Sequence, residues 1–215
     1  MTNRLLHILD SYYPLEEVSA GEFFEFKAGG KTFYLQVFQA EGLGHVCVLQ
    51  SRSFFGLMKR DILIINPLYL DLPLYSYDRI RFLILDKLIV ELYNTIISDF
   101  CSEELHRVKR RYSYLRERGT VRHWYDSLKL PSSFRKKSWI KNSTAFDNLT
   151  WDHFAAYLSA SGTKTHDPEE KKEKSAYFAN NFLQNSGPEI KALHKKLGPD
   201  KVHLLFMKYI FGIEG

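Results

Sequence analysis

The segment from Asp61 to Lys87, DILIINPLYLDLPLYSYDRIRFLILDK, holds the residue of greatest chemical interest. Asp78 stands between Tyr77 and an apolar strand, where burial would raise the pKa of its carboxyl and let it hold a proton near neutral pH. A held proton is what a proton donor needs. The alternative is that Asp78 pairs with Arg79 or Arg81, or caps a turn. Elsewhere the familiar chemical spacings fail: there is no G-x-x-x-x-G-K-[ST], no G-x-G-x-x-G after a strand, no G-x-S-x-G and no H-E-x-x-H. Nucleotide-binding and hydrolase readings lose their usual support. The eight histidines are scattered without ligand spacing, and Cys47 and Cys101 make neither a disulfide framework nor a C-x-x-C pair. No metal site is expected, and a reducing compartment fits the cysteine usage.

Charge is unevenly placed. Residues 107 to 141 carry twelve Lys/Arg against Glu117 and Asp126, so this segment is +10 in a chain whose net charge is +5. Such a face attracts something acidic: nucleic acid, an anionic membrane, a phosphate or carboxylate ligand, or an acidic protein. Charge alone does not choose among them. No zinc finger, RNP-type strand or KH-type loop accompanies the basic residues, so nucleic acid is not expected as a partner.

The elements that must position Asp78 are legible in outline. At 215 residues, 45 % hydrophobic and 26 % charged, the chain has the composition of a folded domain and not of a disordered one. A short helix over the first dozen residues ends near Pro14. From Glu22 to Ile97, β-branched and aromatic residues alternate with closely spaced turn signals, which favour antiparallel neighbours. The predicted strands are Glu22 to Lys27, Thr32 to Gln39, Val46 to Arg52, Asp61 to Ile65, Leu74 to Leu85 with a break, and Lys87 to Asn94. Helical texture follows: Ser102 to a stop at Gly119, a helix capped near Asn148 to Thr150, one from Asp167-Pro168, and two short ones from Pro188 and Asp200. The polar stretch Ser159 to Asp167 reads as a mobile connector or a lid. The predicted fold class is α+β: a single domain over residues 1–215, built as a three-layer α/β/α sandwich around a central antiparallel sheet of about six strands. The start, MTNRLLHILDSYYPLEEV, lacks an apolar signal region, and Phe82 to Ile97 is interrupted by Asp86, Lys87, Glu91 and Asn94. A cytoplasmic protein with no membrane partner is expected.

The run I-N-P-L-Y-L-D-L-P-L-Y-S-Y-D resembles the strand-turn-strand segment of ferredoxin-dependent bilin reductases, roughly P-x-Y-x-L-P-[IM]-F-G-x-D. Leu72, Pro73 and Asp78 match without a gap, Leu74 and Tyr75 are close substitutes, and the Pro67-x-Tyr69 pair sits one residue early. The ending YFANNFLQNSGPEIKALHKKLGPDKVHLLFMKYIFG is similar to the family's Y-x-x-Y-Q-L-x-N-D-K…LG…Y…LF, and the resemblance extends from about Val46 onward. It implies that Asp78 is the proton donor to an open-chain tetrapyrrole. Counting back from Asp78, Asp61 occupies a position where biliverdin-reducing members often carry a histidine. Gln50 is the nearest polar residue to the family's strand glutamate, and Ser186 follows Asn185 where the pattern has aspartate. Red chlorophyll catabolite reductase, a relative acting on a different open-chain tetrapyrrole, shows that the fold tolerates such changes.

A linear tetrapyrrole is flat, mostly apolar and carries two propionates, so the resemblance implies an aromatic cleft with basic groups at one edge. Tyr75 and Tyr77 would supply rings, while Lys87 and arginines of the 107–122 stretch would meet the carboxylates. It implies further that no flavin, nicotinamide or other cofactor is bound, and that electrons arrive singly from reduced ferredoxin through a bilin radical. The basic residues Arg107, Arg110, Arg111, Lys136 and Lys137 would dock that acidic partner. A non-catalytic binder of a tetrapyrrole or haem-derived ligand is the alternative.

Overall fold

The computed structural model describes residues 1–215 apart from 54–55, 99, 118, 120–123, 161, 186 and 214–215. Eight strands form one antiparallel sheet: β1 (Leu15–Val18), β2 (Glu25–Ala28), β3 (Lys31–Ala40), β4 (Gly44–Ser53), β5 (Met58–Asn66), β6 (Leu74–Phe82), β7 (Leu85–Tyr93) and β8 (Phe134–Trp139). The path runs β1-β3-β4-β5-β6-β7-β8, and β2 pairs with the other half of β3. Among the described residues six α-helices accompany it: α1 (Thr2–Tyr12), α2 (Glu103–Arg111), α3 (Ser143–Ser159), α4 (Pro168–Gln184), α5 (Pro188–Leu197) and α6 (Pro199–Leu204), the last running into a π-helical turn, Leu205–Ile210.

Both sheet faces are apolar because successive side chains point to opposite sides. On one face Val46, Val48, Leu63, Ile65, Tyr75, Tyr77, Leu88 and Val90 pack with Leu5 and Leu9 of α1, Leu105 and Val108 of α2, and Phe146, Phe154 and Tyr157 of α3. On the other, Phe33, Leu35, Val37, Cys47 and Leu74 pack with Phe178 of α4, Ile190 and Leu193 of α5, and Phe206 and Phe211 of the final segment. Each fully buried aromatic or aliphatic side chain is worth about 1.5–3 kcal/mol, so both faces matter to stability.

The two unpredicted strands have physical explanations. In β1 three of four residues are exposed, which removes the alternation that betrays a strand. In β8 the sequence FRKKSW hides its period because Lys136 turns inward beside Phe134. Helix α2 ends at Arg111, short of Gly119, because the turn that follows buries Tyr112 and Leu115 in the core. Helix α3 begins at Ser143, and Thr150 is no cap: its Oγ1 donates to the Phe146 carbonyl at 2.8 Å in mid-helix. The Ser159–Asp167 connector is tied to the segment between β5 and β6: Asp71 N donates to the Thr163 carbonyl (2.9 Å) and Thr165 N to that of Tyr69 (3.1 Å).

On the inner side of α3, His153 is fully buried between the rings of Tyr75 (centroids 6.0 Å) and Phe134 (5.0 Å). Burial pushes its imidazole down to about 3, helped by the charge of Lys109. The folded form therefore keeps His153 neutral, while the unfolded chain takes up a proton near the ordinary histidine value of about 6.5. Stability is complete above that pH and falls below it, by up to about 1.4 kcal/mol per pH unit, until the folded value is reached. Thermal unfolding should thus show Tm falling below pH 6.5, and His153→Phe should shallow that slope. Identical slopes for the two proteins would remove His153 from this role.

Candidate functional site

Cross-strand register decides which side chains meet Asp78. Asp78 pairs with Ile62 on β5 and Ile89 on β7, and paired residues share a face. Its neighbours are therefore Arg60, Ile62 and Ile64 of β5, Ser76 and Ile80 of β6, Lys87, Ile89 and Glu91 of β7, and Arg135 and Lys137 of β8. Apart from buried Glu91 these residues are half-buried, forming a floor that the opposing α4 and α5 cover incompletely.

Asp78 is held by a fork. Arg60 Nε donates to Oδ1 at 2.9 Å and Nη2 to Oδ2 at 2.8 Å, the bidentate geometry that a guanidinium makes with a carboxylate. The remaining Arg60 nitrogen, Nη1, donates to Glu189 of α5, whose second oxygen accepts from Lys31. Burial opposes the charge on Arg60, but Asp78 and Glu189 outweigh it and hold the guanidinium charged beyond its ordinary range. Burial likewise opposes the Glu189 anion, yet Arg60 and Lys31 keep that carboxyl below its usual value. A second cluster lies one cross-strand pair away, where Glu91 accepts from Arg135 Nε (2.7 Å), Lys129 Nζ (3.4 Å) and the Tyr93 hydroxyl (2.5 Å). The Arg135 guanidinium also donates to the Tyr125 hydroxyl at 3.2 Å. Beyond this cluster a cavity of about 450 Å³ opens between the end of β7 and α4, lined by Tyr93, Leu128, Lys174, Tyr177 and Phe178. Asp78 is not in its lining.

Several predicted site residues lie elsewhere. Tyr75 and Tyr77 are fully buried in the core of the opposite face, and burial pushes both phenols up. They line no cleft with Asp78. Asp61 is also on that face, its Oδ1 accepting from Gln50 Nε2 at 3.0 Å, so neither joins Asp78. The reason is register: Asp61 pairs with Gln50 and Arg79, and successive residues of a strand point to opposite faces, so Asp61 turns away from the Ile62–Asp78 pair. Asn185 is exposed and donates to the Asn181 carbonyl at 3.0 Å, capping its own helix. Ser186 lies outside the described residues. Of the predicted binding residues that are described, Lys87 alone shares the floor with Asp78. Nor do the predicted docking residues make one face. Arg107 pairs with Glu103 and Glu104, Arg111 with Asp152, and Arg110 is exposed. Lys136 is 1 % exposed and donates to the Leu115 carbonyl and to Glu117, while alternation puts Lys137 on the reverse side of the sheet.

Arg60, Glu189 and Glu91 were missed by sequence reasoning. Glu91 left a trace, an acid within an apolar strand; Arg60 and Glu189 left none, because 129 positions separate them.

No family model matches the sequence, and no curated protein matches it. Among solved structures, the crystal structure of phytochromobilin synthase from tomato in complex with biliverdin superimposes with a TM-score of 0.78. The match covers 99 % of this chain and 83 % of that one. The chain has that fold. Sequence identity is 13 %, so what the two demonstrably share is architecture.

Proposed function

We propose that this chain binds a linear tetrapyrrole over the Asp78 face of the sheet and reduces it with electrons from reduced ferredoxin. The observation that carries this reading is the likeness of fold, over nearly the whole chain, to an enzyme solved with biliverdin. It is supported by the half-open floor, on which the Asp78 carboxyl stands among isoleucines with cations on both sides. Flat apolar ligands bind such floors through their rings and are oriented by a few polar groups. In the ligand-free chain Arg60 engages both oxygens of Asp78. A propionate of the ligand that engages Arg60 would release Asp78 toward the pyrrole nitrogens, where it takes up and delivers a proton. Each electron is matched by one proton, two of each saturating one double bond.

The Arg60 fork favours one second reading. If Arg60 never leaves Asp78, the same cleft binds a tetrapyrrole without reducing it.

An anaerobic absorption titration with biliverdin, followed by a ferredoxin reducing system, separates these readings. The expected result is a shifted bound-state spectrum that converts to that of a reduced bilin. A stable bound spectrum would identify a binder, and no spectral change on titration would overturn both readings.

A further inference from the structure

The loop joining β6 to β7 has two residues, Leu83 and Ile84, exposed to 56 % and 62 %. Leu83 has φ of 51°, the one positive value at a non-glycine among the described residues. Two-residue hairpin loops ordinarily place Gly, Asn or Asp where φ is positive. A leucine there costs backbone strain and leaves apolar surface in water, which is the mark of a functional position. Two neighbouring turns add to the same apex. Leu57, 55 % exposed, accepts through its carbonyl from Leu83 N at 3.4 Å, and Ile140 N donates to the Ile84 carbonyl at 2.8 Å. Ile140 is 41 % exposed and Trp139, opposite Leu85, is 52 % exposed.

The charge behind this apex has one sign. Arg52, Lys59 and Arg81 form a cross-strand row on one sheet face, Lys137 stands on the other, and Lys141 is exposed beside Ile140. Within 56–59, 81–86 and 137–142 the one acid is Asp86, which is fully buried against Arg79.

We propose that this apex docks on an anionic membrane surface, with the five apolar side chains entering the headgroup boundary and the basic collar meeting lipid phosphates and carboxylates. A protein partner would be met by a one-sided patch. Cations on both faces of the sheet, set back from an apolar tip, suit a plane instead, and a tryptophan at the border suits an interface. Docking is peripheral, since among the described residues no helix is long and apolar enough to cross a membrane. It departs from the sequence expectation of no membrane partner and is independent of what the cleft binds.

The test is co-sedimentation with vesicles of phosphatidylcholine, with and without phosphatidylserine. Binding is expected on the anionic vesicles, weakening as salt is raised, with a blue shift of tryptophan emission that Trp139→Phe removes. Leu83→Gly combined with Ile84→Ser should lower partitioning roughly tenfold or more. Its Tm should be unchanged or higher, because glycine adopts the positive φ freely. Absence of binding to anionic vesicles overturns the proposal, as does equal binding by the double variant. Loss of self-association or of binding to an acidic protein in that variant, without vesicle binding by the parent chain, would assign the apex to a protein partner.

Discussion

Asp78→Asn is expected to leave biliverdin binding intact and to slow reduction by roughly 10²–10⁴-fold, the usual worth of a positioned proton donor. The amide keeps the size of the carboxyl and can still accept from Arg60, so the floor of the cleft should hold its shape. What it loses is the proton. The measurement is single-turnover absorbance after addition of reduced ferredoxin, with the bound-state spectrum as the control for binding. Product formation at the parent rate would show that Asp78 carries no proton to the ligand. Arg60→Met is the companion variant. Without the guanidinium that the proposed function gives to a ligand propionate, biliverdin should bind more weakly than to the parent protein. An unchanged bound-state titration would sever Arg60 from the ligand.

The largest effect on stability is expected at Arg79, which neighbours Asp78 in sequence but projects from the opposite face. Its side chain is fully buried. Nε and Nη2 donate to Asp86 at 3.0 and 2.7 Å, and Nη1 reaches Asp147 at the start of α3. Ser143 Oγ donates to the same Asp86 at 2.8 Å, so the ion pair clamps α3 to β6 and β7. Arg79→Met strands Asp86 as an unpaired buried charge, at a cost of about 3–5 kcal/mol. For a chain of this size that lowers Tm by roughly 6–20 °C. Adding Asp86→Asn should recover much of the loss, because the stranded charge disappears. Asp147→Asn should cost less than about 1 kcal/mol, since that side chain is 37 % exposed and water screens the pair. Calorimetric melting of the four proteins decides the matter, and equal Tm values for the parent and Arg79→Met would refute the clamp.

Local sequence was sufficient for whatever depends on neighbours along the chain. The cap at Asp167, whose carboxylate accepts from Glu170 N at 2.9 Å, and prolines at the starts of α4 and α5 are local signals, and those helices begin where the signals stand; α6 begins at Pro199, one residue before the expected Asp200. The antiparallel run from β3 to β7 follows in the same way from short turns between alternating segments. Strand β8 is different, because its inward Lys136 is tolerated only where the Leu115 carbonyl and Glu117 receive it, and neither is local.

The alternation of β6 puts Asp78 and Tyr77 on opposite faces, which the sequence reading passed over in giving both to one cleft. It could not say which face lies open, because both faces of this sheet are apolar and both carry helices. That was decided by tertiary structure, through the incomplete cover of α4 and α5 over one side and the closed packing of α1, α2 and α3 over the other. The partner of Asp78 was decided in the same way. Sequence offered Arg79 and Arg81, the nearest cations, but strand geometry turns both away, and the register of β5 against β6 brings Arg60 across instead. A residue's type and its face are written in the chain. The charge that faces it across a sheet depends on register, and a slip of one residue in the pairing is enough to exchange one partner for another.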